Sequence, residues 1–359
     1  MATIRTAFWN LQNLFDTGAS EIATDLEFTP EQGWTGEVVA AKIANLTEGL
    51  KMLHGGLGPE LLGLCEIESV DLAERLIQSL GRPDLKVVHR PSPDLRGIDT
   101  CLLYSDLVFK TPRLEAIRNH VLHFRYPTRD ILEVEFEIKS NGAKLLALVN
   151  HWPSRSQGRH ESEPLRIAVA ERAGRVIDEY LKFTKDEFLD LPITAATRNA
   201  LLAKWNRNVL LMGDFNDEPY DRSVLDTLLA TRDLDRIEED LPIPASAKKP
   251  AAAGYLGRSA HLFNCMWPLV GQADAGTFYH GGSRDGSAAT NTMNTLDQFI
   301  ISRGLFFGKQ GLKMNLASVG VLRIPPLVTA GKGRPRPFDI KTKKGYSDHL
   351  PIQCLLETM

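Results

Sequence analysis

The run Val209-Leu210-Leu211-Met212 closes on Gly213, and an acid, an aromatic and an amide follow at once in Asp214-Phe215-Asn216. A short apolar run punctuated by glycine reads as a buried strand. Asp214 and Asn216 stand two residues apart at its C-terminal end, so continued extended geometry directs both side chains to one side. An ionised carboxylate at a strand end is costly unless it is paired, solvated or next to a cation. A turn and a site both meet that demand, and the rest of the chain has to decide between them.

The same punctuation recurs. Ile4 to Trp9 reads as a strand ending at Asn10, Leu61 to Cys65 as one ending in Glu66, and Lys144 to Val149 as one delivering Asn150-His151. Leu296 to Ser302 is a strand that starts with Asp297, and Ser347-Asp348-His349 precedes a last apolar strand, Leu350 to Leu356. Ile131 to Ile138 alternates as a half-buried antiparallel strand does, and Asn141-Gly142 after it is a hairpin turn. Lys86 to Arg90 and Thr100 to Tyr104 are further strands, while 38–53, 72–80 and 165–183 carry helical spacing. Hairpins mixed with helices favour a mixed α/β sandwich over a doubly wound parallel sheet.

No repeat or composition break divides the chain, so residues 1–359 read as a single catalytic domain with insertions near 184–207 and 240–262. Within the second, Pro242 to Gly257 reads as a low-complexity, mobile loop. Thr17 to Gly36, Gly276 to Thr295 and the basic stretch Pro325 to Thr342 read as loops. Hydrophobic residues make up 43% of the chain, enough for a proper core. A net charge of −3 supplies no global field for nucleic acid. Four scattered cysteines form no CxxC pair, which argues against a zinc knuckle or a disulfide framework and fits a reducing compartment. With no apolar leader and no run of 18 apolar residues, the expectation is a cytoplasmic protein without a membrane anchor.

The residues at these strand ends suit hydrolysis of a phosphate ester. Glu66 and Asp348 are hard oxygen ligands that suit Mg²⁺ or Mn²⁺ better than zinc. Asp214 could orient or deprotonate a water, and Asn216 could hold a phosphate oxygen. His151 and His349, near carboxylates, would share the duties of general acid and phosphate clamp.

Trp9-Asn10-Leu11-Gln12-Asn13, Cys65-Glu66, Asn150-His151, Gly213-Asp214-Phe215-Asn216, Leu296-Asp297-Gln298-Phe299 and Tyr346-Ser347-Asp348-His349-Leu350-Pro351 occur in that order. This series resembles the endonuclease/exonuclease/phosphatase superfamily, from Trp9 to Pro351. That group includes pancreatic-type deoxyribonuclease, abasic-site endonucleases, neutral sphingomyelinases and inositol-polyphosphate 5-phosphatases. The resemblance implies a four-layer α/β/β/α sandwich of two mixed, mainly antiparallel sheets flanked by helices. It implies Glu66 as the main metal ligand with Asn10 and Asp348 beside it. Asp214 would align the water, Asn216 the phosphate, and Asp297 would fix the tautomer of His349. His151 would contact the phosphate or leaving group.

Two departures bear on chemistry. Gln12 stands where some nucleases of the family carry an acid, which removes a ligand for a second metal. Asn150 replaces the commoner Thr before the histidine. Arg155, Asn150 and Arg96 are the substrate-binding candidates. Lys332, Arg334, Arg336, Lys341, Lys343 and Lys344 could track a nucleic-acid backbone just ahead of Ser347, or form a solvated loop. The expected activity is a metal-dependent nuclease. A phosphatase or lipid-headgroup phosphodiesterase is the alternative, and an inactive binding protein of the same fold the minor one.

Overall fold

The computed structural model of the chain describes residues 2–18, 26–122, 128–156, 158–244, 247–272, 275–281 and 292–359. In chain order the first half holds β1 (Thr3–Leu14), α1 (Gly36–Met52), β2 (Leu61–Ile67), α2 (Val70–Leu80), β3 (Leu85–His89), β4 (Asp99–Ser105), β5 (Ile117–His120), β6 (Ile131–Glu137) and β7 (Lys144–His151). Then come α3 (Arg159–Leu181), α4 (Lys185–Asp190), α5 (Ala195–Trp205), β8 (Asn208–Asp214), β9 (Ala230–Thr231), α6 (Leu234–Glu239), α7 (Ala252–Leu256) and β10 (Leu262–Asn264). The chain finishes with β11 (Phe278–His280), β12 (Thr292–Asn294), β13 (Asp297–Ile301), α8 (Arg303–Phe307), β14 (Leu312–Val321) and β15 (Ile352–Thr358).

One sheet runs β14-β15-β1-β2-β4-β3 and the other β5-β6-β7-β8-β13-β10-β9. Only β1·β2, β7·β8 and β9·β10 are parallel among the described strand pairs. Phe8, Cys65, Val149, Met212 and Phe299 fill the space between the sheets. Leu46, Leu50, Leu72 and Leu76 of α1 and α2 cover the outer face of the first sheet. Val169, Ala173 and Trp205 of α3 and α5 cover that of the second. These are the four layers that the family resemblance implies.

Strand alternation carries that core into a polar end. Residues of one parity in β7 (Leu145, Ala147, Val149) face the other sheet, and so does Met212 in β8. Two residues further on, the same parity reaches His151 and Asp214, which pair in register. Asp297 pairs with Asp214 from the other side. Asn10 follows Phe8 in the same way on β1. The site is therefore the end of the inter-sheet core.

Several expectations change in detail. The helix expected at 165–183 begins at Arg159, with Pro164 tolerated near its start. The stretch expected to be a mobile loop at Pro242 to Gly257 contains α7, whose Tyr255 is fully buried with Phe188, Leu201 and Ile243; residues 245–246 lie outside the described ones. The Gly/Ser-rich stretch at 276–295 carries the β11·β12 ribbon at its two ends, with 282–291 outside the described residues. In β14, Leu312, Met314 and Leu316 alternate with Lys313 and Asn315, but the phase changes at Ala317-Ser318, where the pairing with β15 shifts register between Asn315 and Gly320, so the whole span does not read as one alternating strand.

Gly213 sits where β7 and β8 approach closely. A Cβ there would lie 2.3 Å from the Asn150 carbonyl oxygen, which is backbone and cannot rotate away. Gly213→Ala should cost about 1–3 kcal/mol by overpacking, read as a lower urea midpoint with an unchanged slope.

Candidate active site

Asp214 ends β8 with its carboxylate 1% exposed as a residue. Its Oδ1 accepts the Asn216 N–H at 2.9 Å, and its Oδ2 accepts the Asn10 side-chain amide at 3.0 Å. The same Asn10 Nδ2 donates to Glu66 Oε1 at 3.1 Å, so Asn10 bridges the two carboxylates. Glu66 sits on a bulge of β2 with φ 60°, a left-handed conformation that turns its side chain toward the polar end. Asn216 takes φ 48° and ties its side-chain amide to the Trp152 carbonyl at 3.0 Å.

His349 is the cation among these acids. Its Nδ1 lies 2.7 Å from Asp297 Oδ2, and its Nε2 lies 3.7 Å from Asp214 Oδ2. Burial works against the imidazolium, but the Asp297 and Asp214 carboxylates outweigh it and hold His349 well above the ordinary histidine range. Burial also pushes Asp214 up to about 7, helped by Asp297 and opposed by His349. Burial and the neighbouring Glu66 raise Asp348 as well.

His151 behaves oppositely. Burial and the charges of Arg129, Arg96 and His349 drive its pKa well below the usual value, so it is a neutral imidazole. Arg129 Nη2 lies 3.1 Å from His151 Nε2 and donates to the Trp152 carbonyl at 3.2 Å; Nη1 donates to Asp94 at 3.2 Å. Glu66 Oε1 stands 3.4 Å from the same Nε2. With Nε2 accepting from Arg129, the proton belongs on Nδ1, which has no partner among the described residues.

The structure thus brings together Asn10, Glu66, His151, Asp214, Asn216, Asp297, Asp348 and His349. Arg96 joins their edge: its guanidinium donates to Asn13 Oδ1 at 2.7 Å, beside Glu66. Asn150 and Arg155, expected at the substrate, are placed elsewhere. Strand parity turns Asn150 to the outer face, where it is fully buried between Met212 O and the Trp152 indole. Arg155 is committed to Asp217 at 3.1 Å, Asp221 at 2.7 Å and the Asn216 carbonyl, so it braces the Asn216 loop. Arg166, fully buried, pairs with Asp217 at 2.8 Å beneath it.

Two further residues reach the site without a motif to announce them. Arg129 lies two residues ahead of β6, whose antiparallel pairing with β7 (Leu132 opposite Val149) brings that end beside His151. A basic residue just ahead of an alternating strand was the signal. Lys42 is 1% exposed on the apolar face of α1. Burial lowers its pKa to about 7, against the charges of Asp348 and Glu66.

The donor set fits a hard divalent cation. Four carboxylates (Glu66, Asp214, Asp297, Asp348) converge on a buried place, and Asp297 Oδ1 has no hydrogen-bond partner among the described residues. Asp214, Asp297 and His349 are close enough to share an ion. Glu66, Asp348 and Asn10 offer a second set of oxygen donors beside it.

Residues 5–190 match the profile of the Endonuclease/Exonuclease/phosphatase family. The chain belongs to that family, whose members are phosphoester hydrolases. Compared by sequence with curated proteins, it matches none. Among solved structures it is similar to the mannosyl-6-phosphatase Bt3783 of Bacteroides thetaiotaomicron, with TM-score 0.54, 14% identity, and 99% of each chain covered. It is similar to an endonuclease/exonuclease/phosphatase family protein of the same organism, with TM-score 0.52, 14% identity, and 99% of this chain and 97% of that one covered. It is also similar to D. rerio TDP2 complexed with single strand DNA product, with TM-score 0.52, 12% identity, and 100% of each covered. At such identities the likeness shows the fold. No helix among the described residues is long and apolar enough to cross a membrane.

Asp297→Asn removes the charge that most favours the His349 imidazolium. Its pKa should fall, so His349 loses its proton at a lower pH than in the parent protein. An NMR titration of the His349 ring resonances reads this directly, and an unchanged midpoint would contradict the pairing.

Proposed function

We propose that the protein is a metal-dependent phosphodiesterase that hydrolyses nucleic-acid phosphodiester bonds by in-line attack of water. Asp214 orients the attacking water through Oδ2 and takes its proton. The new bond joins the water oxygen to phosphorus, the bond to the leaving oxygen breaks, that oxygen takes a proton from solvent to become a hydroxyl, and Asp214 returns its proton to solvent. The His349 imidazolium, held by Asp297, faces the charge that grows on the phosphoryl oxygens. Arg129 and neutral His151 meet the phosphate from the second sheet, and Asn216 fixes its register. Glu66, Asp348 and Asn10 would hold Mg²⁺ or Mn²⁺, which would supply neutralisation of phosphate charge and stabilisation of the leaving oxygen.

The observation that carries the polymer reading is the cationic and aromatic rim beside His349. Phe278 of β11 bridges to His349, and its ring lies against the imidazole at 4.8 Å between centroids with the planes tilted by 40°. The next residue, Tyr279, carries the Arg334 guanidinium 3.8 Å above its ring. The strap bearing Arg334 and Arg336 packs onto the site through Phe338, whose N–H donates to Gln12 at 2.8 Å. Lys332, Lys341 and Lys344 along it are exposed, while Lys343 pairs with Glu37. A backbone-tracking groove with ring faces for bases is the simplest use of such a rim. The likeness to a mannosyl-6-phosphatase favours a second reading, hydrolysis of a small sugar phosphate.

Single-stranded, duplex and supercoiled DNA, RNA and a sugar phosphate, each with Mn²⁺ or Mg²⁺, separate the two. Polymer cleavage that needs metal and is lost in Glu66→Ala supports the nuclease, and binding should weaken steeply with salt. Release of phosphate from the sugar ester alone would replace it by the second reading. Asp214→Asn and His349→Ala should each lower kcat by roughly 10²–10³; full activity in either would overturn the roles of the water-orienting acid and the phosphate-facing cation.

A further inference from the structure

Lys42 lies on the face of α1 that also carries Val38, Val39 and Leu46, all buried. An ammonium there is costly unless its surroundings use it. Its Nζ donates to the Gln12 carbonyl oxygen and lies 4.9 Å from the Phe338 ring centroid and 5.7 Å from that of Trp34. Gln12 and Asn13 have φ of 55° and 59°, left-handed values that residues with a Cβ hold only when their surroundings impose them. The Gln12 side chain is tied at both ends to the Phe338 backbone, its Oε1 accepting at 2.8 Å and its Nε2 donating at 3.4 Å.

This bulge aims two backbone donors at the candidate ligands. The Gln12 N–H donates to Asn10 Oδ1 at 2.9 Å, and the Asn13 N–H donates to Glu66 Oε2 at 2.9 Å. We propose that Lys42 is a positioning residue: it holds the left-handed Gln12–Asn13 pair and, through those two N–H groups, sets Asn10 and Glu66 for the divalent ion. The inference rests on the assignment of Asn10 and Glu66 as ligands. A packing role alone would need only the volume and apolar stem of the side chain. A role through the Gln12 carbonyl needs an N–H donor at that place, and arginine can supply one where methionine cannot.

The test compares the full chain with its Lys42→Met and Lys42→Arg variants. Hydrogen exchange is read by mass spectrometry without added metal, and hydrolysis of bis(p-nitrophenyl) phosphate is read at saturating Mn²⁺. In Lys42→Met the segment 8–16 should exchange about tenfold faster while α3 keeps the parent rate. Its kcat should fall about tenfold or more with KM unchanged. Lys42→Arg should restore both. Parent-like exchange of 8–16 in Lys42→Met, a rise spread evenly over the chain, or no restoration by arginine would each overturn the proposal. The exchange arm needs neither ion nor substrate. A parent protein that hydrolyses no phosphodiester would therefore sink the proposed function and still leave Lys42 judged on its own result.

Discussion

One strand parity builds both the core and the site. The side chains that seal the sheets together, Phe8, Val149, Met212 and Phe299, lie two residues from Asn10, His151, Asp214 and Asp297 respectively. Register therefore cannot slip at these strands without exposing the core and emptying the site together. The polar end is tolerated because its charges answer one another. His349 stands between Asp297 and Asp214, Arg129 between Asp94 and His151, and Arg166 under Asp217. Remove any cation and a carboxylate is left buried without an answer, which is the costly state.

The paired charges also divide labour between two histidines that sequence alone makes equivalent. Both follow an apolar strand or precede one, and both sit among acids. His349 sees two carboxylates and is an imidazolium; His151 sees Arg129 and is a neutral ring. An imidazolium faces growing negative charge, while a neutral ring can accept from an arginine and leave that arginine oriented. The two sheets thus present different partners to one phosphate, and the difference is set by residues outside the motifs.

Much of this was legible in the sequence for a simple reason. Apolar runs ending in Asn10, Glu66, His151 and Asp214 report strand and site at once, and Asn141-Gly142 fixes the β6·β7 register in which Glu137 faces Lys144. Illegible parts depended on tertiary pairing. Arg155 looked like a phosphate fork until Asp217 and Asp221, more than sixty residues away, claimed it. Asn150 looked like part of the site because it adjoins His151, yet parity turns it outward. Arg129 belongs to the site only because β6 runs antiparallel to β7. The edge strand β14 changes the phase of its alternation at Ala317-Ser318, where its register with β15 shifts, so no single period runs through it.

The backbone itself leaves regular geometry at the site. Among the described non-glycine residues, seven have positive φ, and Gln12, Asn13, Glu66 and Asn216 are four of them. Each sits where a strand of the inter-sheet core gives out, and each aims a donor or a carboxylate that an extended residue would send elsewhere. Such conformations persist only where the surroundings over-determine them. Here those surroundings are identifiable: Phe338 and Lys42 against Gln12, Arg96 against Asn13, Asn10 against Glu66, and the Trp152 carbonyl with Arg155 against Asn216. The strained residues come from both sheets, whereas the groups that hold them come largely from helix α1, the 325–346 strap and the loops. The outer layers therefore shape the site without lining it, which is how one sandwich can keep its strand ends fixed while its rim changes substrate.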